Sequence, residues 1–465
     1  MGAPESCDVL GNAPTAAAAI HLVLAGSKPS RLSKLGGGYP HSAGFTARTA
    51  QKRGNRAGSS HHRDDPGSSE KPMTPTQPRF LAAVSVFAGG LIIGLTLVSF
   101  PASSAFLKQT HGFSDAQYGA IYLPQLVAAV IGAVGGGFAT RRLGMRMLFL
   151  VSLACFGLAQ FLLWLSGAAN PVTALTLVMC ATASFGFGFG FGGGPLNAYA
   201  ALLFPERSTT AVTALHMSAG AGLTIGPALF AGLAAKGLWF WGPGALGVVT
   251  AAILVSALLA RYPEVAAEPD APDAGSAAGS GFFWLCAAVA MIYSVAEGTF
   301  SNWAILYLSD ERAISPATAA LALTAFWGSL TVGRLLASIL VIKVSGTLFL
   351  LSLPLLMALA FWALPGIATP TGAIAGFAFA GFACSAFFPI LVAFAAERFP
   401  REISWIASML TAAMMVGVGV GSYAVGALRG SSTIASLYRF SALYPALVVV
   451  LLFLAMRAKR TPRAR

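Results

Sequence analysis

Glu297 is the only acidic residue deep inside an apolar segment of this 465-residue chain, and the chemistry open to it is the uptake and release of a proton. Removal from water favours the neutral form of a carboxyl group, whereas a nearby cation favours the charged form, so its protonation can follow a change of surroundings. Ligand binding is a second role open to Glu297, and a neutral, hydrogen-bonded structural acid is a third.

Four further polar residues lie within apolar segments. The imidazole of His216 titrates near physiological pH, so it can relay a proton or contact a polar ligand, or it can simply pack inside the protein. Arg334 is expected near the cytoplasmic end of its segment, where it takes part in gating, extends to the membrane surface or pairs with a helix end. Gln125 and Asn197 offer neutral hydrogen bonds to hydroxyl or amide groups, although Asn197 also suits a structural turn.

Aromatic residues accompany these polar groups. Tyr293 and Trp327 are candidates to contact a ligand, and Trp327 aligns with Gln125 when the two halves of the chain are compared. Trp303 and Tyr307 lie near the end of their segment, and we predict that they form part of an external interfacial belt, the alternative being contact with a sugar or an apolar drug.

The composition indicates which kind of protein positions these residues. The chain is 56% hydrophobic and 10% charged, with a mean hydropathy of +0.73, whereas soluble domains contain about 25% charged residues. Its apolar segments match the roughly 20 residues that a helix needs to cross a bilayer, and they lack the alternation of barrel strands. We therefore predict an all-α membrane protein. The net charge of +13 is concentrated in loops and termini, where it sets membrane orientation, so no nucleic-acid partner is expected.

Hydropathy predicts about twelve transmembrane helices in two pseudo-symmetric six-helix bundles. The spans fall near residues 80–106, 116–139, 146–167, 172–203, 208–235, 239–260, 282–308, 315–342, 346–364, 370–396, 402–428 and 434–456. The corresponding regions are an N-terminal extension that is disordered or non-native (1–78), the first bundle (79–261), a cytoplasmic linker (262–280), the second bundle (281–458) and a basic cytoplasmic tail (459–465). Lys and Arg are enriched in the loops that are cytoplasmic if the N-terminus lies inside.

The two halves repeat one another. GGGPLNAYAALLFPERST (192–209) precedes the Gly-rich GAGLTIGP (220–227), just as SAFFPILVAFAAERFPREIS (385–404) precedes GVGVG (417–421). Two similar bundles are typical of transporters in which one central site faces each side of the membrane in turn.

Glycines at four-residue spacing indicate close helix packing. Gly186, Gly190 and Gly194 share one helical face, and Gly222, Gly226 and Pro227 are expected to pack closely, or to act as a hinge, where the halves slide. The run FGFGFGFGGGP (185–195) lacks the Lys-Ser/Thr of a phosphate-binding loop, so we predict no nucleotide cofactor. The five cysteines form no close-spaced pair, and we predict no metal site.

The chain resembles the major facilitator superfamily over residues 79–460. GFATRRLGMR (137–146) stands where that family carries its Gly-x-x-x-Asp-Arg-x-Gly-Arg-Arg loop, and GLTIGPALFAG (222–232) resembles its fifth-span motif. AEGTFSNWAILYL (296–308), AFWGSLTVGRLLAS (325–338) and FACSAFFP (382–389) resemble fucose-permease-type and related sugar permeases. The resemblance implies the two-bundle fold of that family and transport of a small molecule.

One departure from the family's loop motif alters the prediction for gating. Arg141 replaces the aspartate that latches the halves in the family, and Lys343 takes the equivalent place in the second half. We predict an inverted latch in which Arg141 pairs with Glu402 and Lys343 with Glu206, the alternative being solvated loop charges. Arg142, Arg146 and Arg334 are further candidates for gating.

We therefore expect a secondary active transporter that moves a sugar or related metabolite across the inner membrane and is coupled to protons. Proton-linked efflux of drugs or metabolites is one alternative, and a non-transporting receptor or scaffold is an alternative of another class. We do not expect an enzyme. We expect a monomer with both termini in the cytoplasm, in contact with the lipid bilayer, a small-molecule substrate and protons.

Overall fold

Twelve helices in this computed structural model are long and apolar enough to cross a membrane, among the residues it describes, which are 77–263, 275–341, 343–400 and 402–460. They are Arg79–Ala102 (α1), Asp115–Thr140 (α2), Arg142–Ser166 (α3), Pro171–Leu203 (α4), Pro205–Ala235 (α5), Trp241–Leu259 (α6), Gly281–Glu311 (α7), Pro316–Leu340 (α8), Gly346–Gly366 (α9), Pro370–Ala396 (α10), Trp405–Leu428 (α11) and Ile434–Ala458 (α12). The predicted all-α membrane fold is confirmed.

Local sequence signals set the starts of several helices. Asn170 accepts a hydrogen bond from the backbone N–H of Thr173 at 3.0 Å, and Pro171 occupies the first position of α4. At the start of α8, the Ser315 side chain accepts a hydrogen bond from the backbone N–H of Thr318, and Pro316 is the first residue of the helix. A capping side chain satisfies an N–H that has no partner within the helix, and proline loses nothing at the first position because its missing N–H would be unpaired there.

Three helix boundaries differ from the predicted spans. The first helix ends at Ala102, one residue after Pro101, and a separate helix follows at Ser104–His111, so the span predicted at 80–106 is not continuous. The last span is interrupted at Ala442, between the helices Ile434–Ser441 and Leu443–Arg460. Because that helix reaches residue 460, the first residues of the predicted tail are helical. The predicted extension at 1–78 lies outside the described residues except for its last two.

Each bundle is held together by glycines that allow two helix backbones to touch. A Cβ atom added at Gly186 of α4 would overlap the carbonyl oxygen of Gln125 on α2. In the second bundle, a Cβ at Gly381 of α10 would overlap the carbonyl oxygen of Phe326 on α8. The same type of contact thus joins the second and fourth helices of both bundles, which is the structural counterpart of the repeat in sequence.

The two bundles meet chiefly along two helix pairs. In the α2–α11 pair, a Cβ at Gly119 would lie only 3.0 Å from the Cα of Gly426. In the α5–α8 pair, a Cβ at Gly220 would lie 2.5 Å from Cγ2 of Thr331. Large apolar side chains such as Val248 and Trp362 are exposed on the outer surface, as expected for residues that face lipid.

Both described ends of the linker are fastened to a bundle. The hydroxyl of Tyr262 lies 2.6 Å from Oγ of Ser85 on α1, and its ring packs against Tyr199. After the undescribed residues 264–274, the backbone N–H of Ala277 donates to the carboxylate of Glu402 at 3.1 Å. The linker is therefore anchored to the first bundle where it begins and to the second where it ends.

Candidate functional site

Helix α10 is interrupted in its middle, between the helical segments Pro370–Cys384 and Phe387–Ala396. Pro389 has no N–H, so it cannot donate to the carbonyl of Ser385 one turn earlier. Arg334 of α8 supplies the missing donor, since its Nε donates to that carbonyl at 3.0 Å. Tyr293 of α7 donates its hydroxyl to the carbonyl of Cys384 at 2.7 Å. Because an unpaired backbone group in a membrane interior is costly, these two side chains stabilise the break.

Glu297 lies one helical turn after Tyr293 on α7. Its carboxyl is adjacent to the Tyr293 hydroxyl and interacts electrostatically with Arg334. The residue is 8% exposed, and its Oε2 atom is buried with no hydrogen-bond partner among the described residues. The structure thus gathers Glu297, Tyr293 and Arg334, three of the predicted site residues, around the break in α10.

His216 approaches the same place from the first bundle. It precedes Gly220 by one turn on α5, while Arg334 follows Thr331 by almost one turn on α8, so both lie on the predicted cytoplasmic side of the Gly220–Thr331 contact. The His216 side chain is exposed and interacts electrostatically with Arg334. His216 and Arg334 thus belong to different bundles and lie on the same side of the Gly220–Thr331 contact.

Arg334 does not extend to the membrane surface, which was one of the expectations for it. Its Nε instead donates to the carbonyl of Ser385 at the break in α10. The two terminal nitrogens form no hydrogen bond or ion pair with the described residues, and they are not fully buried.

Gln125 of α2 and Trp327 of α8 are both buried. Each has a polar atom without a partner among the described residues, Oε1 in Gln125 and Nε1 in Trp327. At 1.5 Å per residue they lie about 15 Å below the predicted external ends of their helices, whereas Glu297 lies about 21 Å below the external end of α7. The two side chains are not hydrogen-bonded to each other. Asn197 donates to the carbonyl of Gly193 at 2.8 Å, which is a structural contact within α4.

The predicted glycine contacts lie within a bundle and not between bundles. A Cβ at Gly190 would overlap the carbonyl of Ala129 on α2. Gly222 and Gly226 contact α1, so the prediction that they pack where the halves slide is wrong. The surroundings of Gly194 are open, so it makes no close contact. Pro227 is buried within α5.

Only part of the predicted latch falls on described side chains. Lys343 and Glu206 are both exposed and form no ion pair with each other, so this half of the latch is not formed. Lys343 and Glu206 lie at the predicted cytoplasmic face, where the charges are free to separate in water. The side chain of Arg141 lies outside the described residues, and with it the predicted pair to Glu402.

Three further latch candidates, Arg146, Arg142 and Glu402, lie on described side chains. Arg146 donates to the carbonyl of Leu258 at 2.7 Å, where it satisfies the C-terminal end of α6. Arg142 is exposed. Glu402 accepts a hydrogen bond from the backbone N–H of Ala277 in the linker, so at least one of its contacts is with a residue other than its predicted partner Arg141.

Trp303 and Tyr307 are buried, so their predicted place in an external aromatic belt is wrong. Trp303 donates to the carbonyl of Ser422 at 3.1 Å, and its ring lies edge-on to Tyr118 of the first bundle at 5.2 Å. Tyr118 also donates to the carbonyl of Asn302 at 2.9 Å. The Trp303 ring therefore belongs to the contact between the bundles, whereas the Tyr307 ring packs on Tyr438 of α12 within the second bundle. Helix crossing, and not distance from the helix end, decides their surroundings.

A cluster of charged side chains at the predicted external face was missed by sequence reasoning. Lys108 contacts Asp115 at 2.6 Å and Asp310 at 2.8 Å, while Arg429 contacts Asp115 at 3.1 Å and Glu311 at 2.8 Å. Lys108 and Asp115 belong to the first bundle and the other three to the second. The signal available in the sequence was opposite charges at the ends of four spans on one predicted face.

The outer side of this cluster is tied to helix α12. The Glu311 carboxylate accepts the backbone N–H of Ala435 at 2.9 Å and that of Ile434 as well. Negative charge is favourable at the positive end of a helix dipole. The cluster therefore joins the short helix Ser104–His111 and the starts of α2 and α12 to the ends of α7 and α11.

Comparison with known proteins gives three consistent results. Residues 80–307 match the family model described as the Major Facilitator Superfamily. A protein of Yersinia pestis described as an uncharacterized MFS-type transporter is 23% identical over 389 residues, which is 83% of this chain and 97% of that protein.

Among solved structures, a bacterial homolog of the human lysosomal transporter Spinster, in an inward-facing and occupied conformation, superposes with a TM-score of 0.67 at 14% identity, over 84% of this chain and all of that one. A D-xylose-proton symporter gives a TM-score of 0.65 at 16% identity, over 83% of this chain and 98% of that one. A nucleoside transporter gives 0.64 at 16% identity, over 82% and 100%. These likenesses show the shared fold.

Proposed function

Because this chain belongs to the major facilitator superfamily, a family of membrane transporters, we propose that it moves a small organic solute across the inner membrane by proton-coupled alternating access. The solute class is a sugar or related metabolite, and both termini lie in the cytoplasm. Sugar–proton symport and nucleoside transport are described for two of the proteins that share its fold, which supports this solute class.

The observation that carries the proposal is the surroundings of Glu297. Its carboxyl is buried between a cation and apolar helices, and one of its oxygens has no hydrogen-bond partner in the described parts of the chain. Arg334 favours the carboxylate, whereas burial favours the neutral acid. A movement that changes either neighbour therefore changes how firmly Glu297 holds a proton, which is the requirement for coupling.

The contacts between the bundles supply the movement. The predicted external face is held by the charged cluster and by the close approach of Gly119 to Gly426. For the solute to reach the other side, these contacts must open while the predicted cytoplasmic ends approach. His216 belongs to the first bundle and Arg334 to the second, and both lie on the same side of the Gly220–Thr331 contact, so a solute bound between them contacts both bundles.

Proteoliposomes test the proposal. The purified protein is first screened by thermal shift against D-xylose, D-glucose, uridine, D-gluconate and D-glucuronate, since a bound solute stabilises the folded state. Counterflow of the stabilising solute and its uptake driven by a pH gradient are then measured. Glu297→Gln should retain counterflow within about twofold and lose uphill uptake by tenfold or more. Glu297→Asp, which keeps a titratable group, should retain both.

The outcomes separate the competing functions. Proton movement opposite to the solute indicates efflux by antiport in place of symport. Absence of counterflow with any solute points to a receptor or scaffold and contradicts the transporter proposal. Unchanged uphill uptake by Glu297→Gln assigns the proton to another group.

A further inference from the structure

We propose that the solute carries a carboxylate, as sugar acids do, and that this group binds between Arg334 of α8 and His216 of α5. This inference rests on the proposed transport function and specifies the class of solute. The relevant structural features are the orientation of the Arg334 guanidinium, the place of His216 and the balance of charge around Glu297.

The guanidinium of Arg334 is held in one orientation with its binding edge unused. Its Nε donates to the carbonyl of Ser385, which fixes the side chain against the break in α10. The two terminal nitrogens have no hydrogen-bond or ion-pair partner among the described residues and are not fully buried. Two parallel N–H groups on a planar cation match the two oxygens of a carboxylate, a geometry that a sugar hydroxyl does not offer.

His216 provides a second contact from the other bundle. The tight Gly220–Thr331 contact brings α5 and α8 together, and about one turn from it His216 and Arg334 lie on the two helices at the same side of the contact, within electrostatic range of each other. An imidazole N–H can donate to the carboxylate that Arg334 holds. A solute bound in this way touches both bundles, so its binding favours the conformation in which they are close together at this depth.

The charges around this point require an anion when Glu297 is protonated. The titratable and charged groups that face one another here are Glu297 and Tyr293 on α7, Cys384 on α10, Arg334 on α8 and His216 on α5. While Glu297 is a carboxylate, it offsets the charge of Arg334. Once Glu297 takes up a proton, the cation is left uncompensated inside the membrane, which is costly. A bound carboxylate restores the balance, whereas a neutral sugar does not.

One proton and one carboxylate together carry no net charge, and this gives an electrical test. Uptake is measured in proteoliposomes at a fixed pH gradient, with the membrane potential set by potassium and valinomycin. Three matched pairs of labelled solutes are used, D-gluconate with D-glucose, D-glucuronate with D-glucose, and L-lactate with glycerol. We expect the acidic member of at least one pair to be taken up at a rate that does not change with membrane potential.

Variants test the assigned residue. Arg334→Gln should raise the apparent Kd for the acid, measured by thermal shift, about tenfold or more, because a charge-assisted hydrogen bond is lost. Arg334→Lys should recover part of the effect because it keeps the charge. Arg261→Gln, which removes an exposed arginine at the start of the linker, is the matched control and should change nothing. The comparison of acid with neutral partner uses the unaltered protein and so does not depend on any variant folding.

Each result has a defined consequence. Two results overturn the carboxylate assignment while the transport function stands. The first is transport of a neutral solute at a rate equal to or above that of its acid. The second is uptake of the acid that becomes faster when the interior is made negative. Retention of acid binding by Arg334→Gln overturns the role of Arg334. If no member of any pair is exchanged while D-xylose or uridine is, the carboxylate assignment fails and the transport function stands; if none of these solutes is exchanged, both fail.

Discussion

Lys108 of the first bundle and Asp310 of the second form an ion pair of 2.8 Å, although 202 residues separate them in the chain. Asp115 and Arg429 form a second contact across the bundles at 3.1 Å, and Glu311 links that arginine to the start of α12. The face predicted to be external is therefore closed by charge pairs, while Glu206 and Lys343 at the opposite face stand apart. This arrangement predicts that the cluster must separate in each transport cycle.

Linking Lys108 to Asp310 should stop transport. In a variant whose natural cysteines are replaced, Lys108→Cys with Asp310→Cys is treated with a flexible bifunctional thiol reagent, and flux is measured in proteoliposomes. We expect flux to fall at least about tenfold after crosslinking, because the bundles can no longer part at this face. Each single cysteine variant, treated identically, is the control. Full flux in the crosslinked protein would contradict alternating access at this contact.

The pH dependence of the cluster follows from Lys108. Burial by itself lowers the pKa of this ammonium group, but the hydrogen bonds and charges of Asp115 and Asp310 outweigh it, and the pKa is raised above its ordinary value. Since the folded pKa exceeds the unfolded one, its stabilising contribution is complete below the unfolded value of about 10.4 and is lost as the pH rises through the folded value. The Tm difference between the wild type and Lys108→Met should therefore stay constant from about pH 7 to 9 and shrink only above about pH 10.5. A difference that already shrinks below pH 9 would contradict the assignment.

A larger residue at Gly119 should keep the predicted external face from closing. A Cβ there would lie 2.9 Å from the carbonyl oxygen of Ser422 and 3.0 Å from the Cα of Gly426. Gly119→Val should reduce flux about tenfold while changing Tm by only a few degrees, since the clash arises between bundles and is relieved when they part. Gly137→Val, at a helix surface with open space, is the control. Normal flux in Gly119→Val would show that this approach is not required.

Contacts inside a bundle should respond differently from contacts between bundles. Gly186→Ala places a methyl group on the carbonyl of Gln125, an overlap that should cost about 1–3 kcal/mol and lower both Tm and yield. Gly194→Ala meets open space, and its higher helix propensity should leave Tm equal or slightly higher. Thermal unfolding of the two variants side by side tests this. Equal behaviour of the pair would refute the packing role of Gly186.

The break in α10 can be tested at Pro389. Pro389→Ala returns an N–H that can donate to the carbonyl of Ser385, which Arg334 now satisfies. We expect Tm to rise or stay unchanged, because α10 regains a helical hydrogen bond, while flux falls several-fold as the guanidinium is no longer held. Pro354→Ala, at a proline within α9 away from the site, is the control. A parallel fall in Tm and flux would indicate a purely structural proline.

The sequence by itself was sufficient to predict the membrane helices and their number. Whether a segment such as Pro171–Leu203 crosses a membrane depends on the hydropathy of about 20 consecutive residues. Glu297 and Arg334 were found as candidates for the same reason, since a charge inside an apolar segment is visible in a local window. The repeat of Gly186 by Gly381 in α4 and α10 reflects the duplication already evident in the sequence.

Only the tertiary structure decided which side chains meet. Trp303 and Tyr307 lie near a helix end, as an interfacial belt requires, yet they are buried because α7 crosses α2 and α12 at that point. Arg334 could have reached the membrane surface, but a proline 55 residues later in the chain left a carbonyl that needs a donor. In the sequence the charges of Lys108 and Asp310 indicate only membrane orientation, and the structure shows that they form an ion pair between the bundles. Hydropathy is a property of neighbours in sequence, whereas these contacts depend on how helices far apart in the chain cross in space.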